Sequence, residues 1–385
     1  MNPRAPRLLF VVNADWFFVS HRLPLARACL KLGYEVGLCA GESDQRARIE
    51  GEGIRFFSLP IDRGGTHPVR DARTGLSLLQ TYRSFRPDLV HHVTIKPVLY
   101  GSLAARAARV PATVNAVSGL GYVFIPRERE RPFNVALRAT LRAAYRVALA
   151  GARTRVIFQN DDDLSAFVKA GLVSHARARL IRGSGVDLEH FRPSPLPEGP
   201  PLALVPARLL WDKGIGEFVT AARTLKARHP QARFVLLGRI DPGNPAAVSE
   251  NEVRSWVQQG LVEWWPARSH AEMPASYHQA HVVVLPSYRE GLPLALAEAA
   301  ACGRAVITTD VPGCRDTVTN STGWLVPARD SHGLTRALEQ ALTQPSELVA
   351  RGTAARQLAA ERFDVRRVVE QTLGTYAELL GENAP

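Results

Sequence analysis

Short apolar, β-branched runs alternate with amphipathic stretches along most of this chain. In the first half, residues 7–13, 34–40, 54–59, 89–92, 113–116 and 155–158 read as strands. Between them residues 19–32, 74–85, 98–109 and about 132–152 carry helical periodicity. Strands that alternate with helices predict a parallel, doubly wound sheet. Residues 183–201 break the rhythm with Gly183, Gly185, Pro193, Pro195, Pro197, Gly199, Pro200 and Pro201, and read as a linker.

Alternation then restarts. Residues 202–206, 234–238, 262–265, 281–285 and 305–309 read as strands. Helices are predicted after Asp212, up to about Gln259, over 292–302, and finally over 345–361 and 365–380. The expected fold class is α/β, with two Rossmann-like domains over 1–185 and 186–364. The final helix, about 365–385, is free to pack back on the first. Ligands in such sheets bind outside the carboxyl ends of the strands.

The stretch Pro286-Ser287-Tyr288-Arg289-Glu290-Gly291-Leu292-Pro293, with Glu298 beyond it, reads as a strand end, a tight turn and a helix start. A helix N-terminus offers backbone N–H groups and a positive dipole end to a diphosphate. Glu290 and Glu298 do not bind a diphosphate; carboxylates there suit the neutral hydroxyls of a sugar or ribose. The combination points to a sugar nucleotide.

Bulk properties narrow the picture. The chain has 385 residues and a net charge of +12. Residues 1–195 hold 29 Lys and Arg against 16 Asp and Glu, so the basicity lies in the first half. That half is expected to meet something anionic. The cysteines Cys29, Cys39, Cys302 and Cys314 form no CxxC pair and read as reduced, buried side chains of a cytoplasmic protein. No run approaches the roughly 20 apolar residues of a membrane span, so membrane contact is expected to be peripheral. No GxGxxG follows the first strand, which disfavours a nicotinamide oxidoreductase. No nucleic-acid motif accompanies the charge.

Taken together, the motifs resemble family 4 glycosyltransferases of the two-domain GT-B fold. The carriers are Gly185-Val186-Asp187 with Phe191 and Pro193, Arg208 with Lys213-Gly214, and the stretch from Glu290 to Glu298. Pro312-Gly313-Cys314-Arg315-Asp316 and Thr322-Gly323-Trp324-Leu325-Val326-Pro327 follow. The first half resembles a branch that builds bacterial polysaccharides and lipid-linked oligosaccharides. Its carriers are Asp15-Trp16-Phe17-Phe18, Ser20-His21-Arg22-Leu23-Pro24, Thr94-Ile95-Lys96-Pro97 and the segment 115–124. This resemblance implies an interdomain cleft, with the acceptor on the first domain and the nucleotide sugar on the second.

The resemblance also implies roles. Arg208 and Lys213 would neutralise the departing diphosphate, Glu290 would contact the donor sugar, and Glu298 would hold the ribose. The backbone N–H groups of Gly291 and Leu292 would face the diphosphate. No metal or other cofactor is implied, because the two cations take the place of Mg²⁺. Asp161-Asp162-Asp163 is read as the first turn of a helix capped by Asn160, with a metal motif as the alternative.

On the first domain, His21 is expected in a loop after the first strand, where with Arg22 it contacts donor phosphate or acceptor. Asp15 is an acceptor-side base or hydroxyl ligand, or else orders its own loop. His91, His92 and Lys96 are expected at a strand end, one histidine pointing into the core and Lys96 toward an acceptor phosphate. Ser118 stands where many relatives carry His. Arg138, Arg142 and Arg146 share one helix face, preceded by Arg127, Arg129 and Arg131. With Phe133, Leu137, Leu141 and Tyr145 they suit anionic lipid or a lipid diphosphate; a solvated face is the alternative.

The expected activity is therefore retaining transfer of a hexose or N-acetylhexosamine from a UDP-sugar to a polyprenyl-diphosphate-linked saccharide. The expected place is the cytoplasmic face of the inner membrane, in bacterial surface polysaccharide (lipopolysaccharide-type) synthesis. A UDP-sugar epimerase of the same fold and a non-catalytic carbohydrate- or lipid-binding relative are the alternatives.

Overall fold

The computed structural model describes residues 4–62, 67–118, 132–241 and 243–381, with Pro68 and 132–139 described by backbone alone. The chain divides into two compact units. One comprises Met1–Arg182 with Val368–Pro385, the other Gly183–Arg367.

The first unit is built on seven parallel strands: β1 (Arg7–Val12), β2 (Glu35–Ala40), β3 (Arg55–Ser58), β4 (Leu89–Val93), β5 (Ala112–Val117), β6 (Thr154–Phe158) and β7 (Ala178–Leu180). Their order is β3-β2-β1-β4-β5-β6-β7. The direction of winding therefore reverses between β1 and β4. Every residue of β4 is buried, as expected of an inner strand covered by helices on both faces.

The second unit repeats the plan with β8 (Leu202–Pro206), β9 (Arg233–Leu237), β10 (Glu263–Trp265), β11 (Val282–Leu285), β12 (Ala305–Thr309) and β13 (Gly323–Val326). Their order is β10-β9-β8-β11-β12-β13, with the reversal between β8 and β11. Its core has two layers, one on each face of the sheet. Both units are Rossmann-like, as the alternation predicts.

Several elements differ from the sequence expectation. β7 and β13 are short edge strands that the sequence reading does not mark; β7 carries Arg179 at its centre, and β13 leaves Trp324 and Leu325 partly exposed. The helix Ser331–Thr343 contains Gly333 and follows no apolar run; its cap is the Asp330 side chain, which accepts from Gly333 N at 2.8 Å. His21 lies in no loop. It ends a helix, Asp15–His21, whose first turn carries a buried acid.

The Gly- and Pro-rich stretch 183–201 is also no free linker. Val186, Leu188 and Phe191 are buried in the second unit. Two arginines pin its carbonyls. Arg356 donates to Phe191 O at 2.9 Å and Leu188 O at 3.2 Å, and Arg304 to Ser194 O at 2.7 Å and Pro195 O at 2.9 Å. Val186 forms a parallel bridge with Asp364. Gly185 has φ +82°, and a Cβ there would collide with Val365 Cα, which explains the glycine.

At the far end of the chain, the helix Val365–Leu380 lays Tyr376 and Leu379 into the core of the first unit. Glu378 accepts from Arg155 and Arg179.

Candidate active site

The second unit gathers its chemistry where the winding reverses, at the carboxyl ends of β8 and β11. Arg208 and Lys213 follow β8; Ser287, Glu290, Gly291 and Leu292 follow β11. In open α/β sheets this is where a ligand meets the loops of both halves. Lys213 Nζ donates to Glu290 Oε1 at 2.5 Å, and Ser287 Oγ donates to the same oxygen at 2.7 Å. Both partners of the ion pair are largely buried, with side chains 18% and 15% exposed. Such a pair is held by geometry rather than by solvent-averaged attraction.

The backbone holds this turn in place. Gly214, at φ +73°, packs against the Pro286 carbonyl so closely that a Cβ would collide with it. Tyr288 N donates to Asp212 O at 2.9 Å, and Glu290 N to Pro312 O at 3.3 Å. A Cβ on Gly313 would come within 2.5 Å of the carbonyls of Glu290 and Gly291. The loops after β8, β11 and β12 are therefore locked to one another through main chain. Arg208 lies at the edge, 41% exposed, and pairs with Asp241 at 2.9 Å.

Glu298 belongs to the helix Leu294–Ala301, which begins just after Leu292 and Pro293. Its side chain is buried, and Tyr277 Oη donates to Oε2 at 2.7 Å. His270 Nδ1 lies 3.7 Å from the other oxygen. Burial pushes the carboxyl up to about 7, against the opposing pull of the Tyr277 hydrogen bond. A solvated surface acid is excluded.

The first unit places its expected residues differently. Asp15 is fully buried. It accepts from Ser43 N at 2.6 Å, Ser43 Oγ at 2.5 Å and Trp16 N at 2.7 Å, and so orders the loop after β2. His21 stacks on Phe17 at 4.1 Å, with Nδ1 2.6 Å from Ser20 Oγ. Arg22 is buried and donates to the His21 carbonyl at 3.0 Å; burial lowers its pKa to about 10. Lys96 pairs with Asp71 at 3.0 Å, both side chains largely buried. Ser118 follows β5 and is half-buried.

His91 and His92 both turn out to be buried, because β4 is covered on both faces. The expectation of one core-facing histidine is corrected to two. His91 Nδ1 lies 2.5 Å from Tyr376 Oη. His92 Nδ1 lies 2.8 Å from Asn115 Oδ1, and Nε2 3.0 Å from Tyr82 Oη. Burial holds both rings neutral and lowers His92 to about 4.

The basic helix, Pro132–Ala148, spends its apolar face on the core through Leu141, Ala144, Tyr145 and Ala148. Arg142 stays exposed, and Arg146 reaches the Ala170 carbonyl at 3.5 Å. Apolar insertion of Leu141 and Tyr145 into lipid is thereby excluded. The side chain of Arg138, together with Arg127, Arg129, Arg131 and Gly119 to Phe124, lies outside the described residues. Asn160 Oδ1 accepts from Asp163 N at 2.8 Å, and Asp161 pairs with Arg182 at 2.8 Å, so the acidic run is a helix cap.

Sequence reasoning missed Tyr277, Ser287, Asp241 and His270. Ser287 alone had a signal, three residues before Glu290 in the same turn. Tyr277 and Asp241 come from other loops and helices, and nothing in their local sequence marks them.

Two family models tile the chain. One described as "Glycosyl transferase 4-like" matches residues 7–160, and one described as "Glycosyl transferases group 1" matches 186–358. The chain is similar to an N,N'-diacetylbacillosaminyl-diphospho-undecaprenol alpha-1,3-N-acetylgalactosaminyltransferase from Campylobacter jejuni, 26% identical over 82% of this chain and 83% of the relative. It is 23% identical, over 90% of both chains, to a UDP-Gal:alpha-D-GlcNAc-diphosphoundecaprenol alpha-1,3-galactosyltransferase from Escherichia coli. A solved sucrose-phosphate synthase from Thermosynechococcus elongatus superposes with a TM-score of 0.79, covering 98% of this chain and all of that one at 22% identity. The two doubly wound Rossmann-like sheets make the fold GT-B, and the two family models make the chain a glycosyltransferase. The chain belongs to the glycosyltransferases whose first half is family 4-like and whose second half is group 1.

Proposed function

We propose that this enzyme moves a hexose or N-acetylhexosamine from a UDP-sugar to a saccharide carried on a polyprenyl diphosphate, with retention at the anomeric carbon. The observation that carries the reading is the buried Lys213–Glu290 pair beside the start of the Glu298 helix. Two relatives matched over most of their length bear names with diphosphoundecaprenol acceptors, and one of those names gives UDP-Gal as donor.

The residues divide the work. Lys213 exchanges Glu290 for the diphosphate, and Arg208 exchanges Asp241 for it. Both cations then stabilise the charge that builds as the bond to the anomeric carbon breaks. Glu290, released from Lys213, accepts from a donor-sugar hydroxyl near the oxocarbenium-like centre. The N–H groups of Gly291 and Leu292 face the diphosphate, and the Glu298 carboxylate accepts from the ribose. The acceptor hydroxyl attacks on the face from which the diphosphate leaves. Two cations at the diphosphate supply the charge a divalent metal would, so turnover is expected to persist in EDTA. Arg22, with Asp15, Lys96, Ser118, Arg138 and Arg142, belongs to the first unit, which in this reading takes the acceptor, and His21 is assigned to the donor phosphate.

Among the described residues no helix is long and apolar enough to cross a membrane. The lipid-linked acceptor would bring the enzyme to the cytoplasmic face of a membrane, where Arg142 and its neighbours meet anionic headgroups by charge alone.

The test is UDP release across a UDP-sugar panel, with and without a short-chain polyprenyl-diphosphate-linked monosaccharide, products read by mass spectrometry. Acceptor-dependent UDP release with a mass gain of one sugar is expected. A new UDP-sugar without acceptor dependence would make the protein an epimerase instead.

A further inference from the structure

The first unit has its own switch point, between β1 and β4, and two residues there stand out. Asn13 follows β1 and Thr94 follows β4. The register pairs Phe10 with His91 and Val11 with His92. Both residues thus stand just beyond the carboxyl ends of two neighbouring, paired strands.

The side-chain oxygens of both, Asn13 Oδ1 and Thr94 Oγ1, are buried and have no hydrogen-bond partner among the described residues. Buried polar atoms are nearly always paired, so two exceptions at the ends of neighbouring strands need a reason. Thr94 also has φ +77°. A β-branched residue in the left-handed region is an outlier, and such strain persists where the surroundings impose it. Here the main chain imposes it. Thr94 N donates to Ala116 O at 3.3 Å, and Thr94 O accepts from Val98 N at 3.0 Å. The backbone of Thr94 is satisfied on both sides while its hydroxyl is held unpaired.

We propose that Asn13 and Thr94 form a hydroxyl-binding subsite at the switch point of the first unit, which takes a ring hydroxyl of a sugar. Asn13 Oδ1 accepts the hydroxyl proton, and the Thr94 hydroxyl donates to the same sugar oxygen or to its neighbour. The pair carries no charge, and Lys96, two residues on, is already paired with Asp71. A neutral polyol therefore fits better than a phosphate. The proposal rests on the glycosyltransferase reading, in which the sugar belongs to the acceptor; the donor sugar is the other source with the same chemistry.

The variants are Thr94→Val, which keeps the shape and removes the hydroxyl, Thr94→Ser, which keeps the hydroxyl, and Asn13→Ala. With short-chain polyprenyl-diphospho-N-acetylglucosamine as acceptor, Thr94→Val is expected to raise the acceptor KM about three- to ten-fold, the loss of one neutral hydrogen bond. Thr94→Ser is expected to restore it. Substrate-free Thr94→Val is expected to melt no lower than the wild type, because the group it removes has no partner among the described residues. A rise in donor KM instead assigns the subsite to the donor sugar. Unchanged KM for both substrates, or a melting temperature that falls in Thr94→Val, overturns the proposal.

Absence of wild-type turnover would be a failure of the transferase reading and would show before any variant is compared. Saturation-transfer NMR with methyl N-acetylglucosaminide and methyl galactoside then decides the subsite. Transfer seen with the wild type and lost in Thr94→Val and Asn13→Ala supports it; transfer that survives in both, or is absent from the wild type, overturns it.

Discussion

Tyr277 and Glu298 meet inside the second unit, the tyrosine hydroxyl donating to the carboxylate at 2.7 Å. Both side chains are buried, and the tyrosine is held far above its ordinary pKa by burial and by the neighbouring acid. Among the described residues the buried carboxyl accepts from the Tyr277 hydroxyl and has a histidine 3.7 Å away, an environment that favours its neutral form until a ligand supplies further hydroxyls.

Glu298→Gln tests that environment. Burial raises the folded carboxyl to about 7 from an ordinary value of 4.5. Its neutral form thus contributes stability that is fully present below pH 4.5 and is lost as the pH rises through 7. The Gln variant is expected to match the wild type in melting temperature at pH 5 and to exceed it at pH 8, by on the order of 2 kcal/mol. It is also expected to bind UDP more weakly at pH 8, where the wild type presents a carboxylate. Parallel melting curves at both pH values would remove the shift.

Tyr277→Phe acts in the other direction. The hydroxyl favours the ionised carboxyl, so its loss raises the Glu298 pKa further. The rise of UDP affinity with pH should move to higher pH in calorimetric titrations, with a stability cost of about 1 kcal/mol.

Lys213→Ala and Arg208→Ala should each lower kcat by about 10²–10³, the scale of one lost charge-stabilising group; Arg208→Ala should keep a melting temperature close to wild type, whereas Lys213→Ala, which leaves Glu290 largely buried without its cation, should lower it. Arg208 is expected to be the milder in stability because it lies at the edge, paired to Asp241 across solvent. Steady-state UDP release and calorimetry separate the two readouts, and near wild-type turnover in either variant would remove the phosphate role.

Gly214→Ala should cost more stability than either of those. Its φ of +73° is strained for Ala, and the new Cβ meets the Pro286 carbonyl. A loss of about 1–3 kcal/mol is expected, measured by urea denaturation. Turnover should fall with it, since Lys213 is the preceding residue and the Glu290 turn lies across the contact.

Much of this protein is legible along the chain. The period of apolar residues determines strands and helices, because each element must bury one face. Their strict alternation determines two parallel, doubly wound sheets. The turn that bears Glu290 and the helix that bears Glu298 were visible because capping chemistry, glycine and proline are local signals. The short edge strands β7 and β13 were not, because three or four residues at a sheet edge show no period of their own.

Only the tertiary structure decided what each polar group faces. It paired Lys213 with Glu290, 77 positions apart, and set Tyr277 on Glu298. It turned Asp15 inward to order a loop, and buried both His91 and His92 where strand alternation predicted one. It pinned the Gly- and Pro-rich segment to the second unit through Arg304 and Arg356. It also left Asn13 and Thr94, at the ends of neighbouring strands, with oxygens that have no partner among the described residues. The reason is physical. Periodicity is a property of neighbours along the chain. Burial, charge pairing and hydrogen-bond satisfaction depend on which strand lies beside which, and that is decided when the winding reverses between β1 and β4 and between β8 and β11.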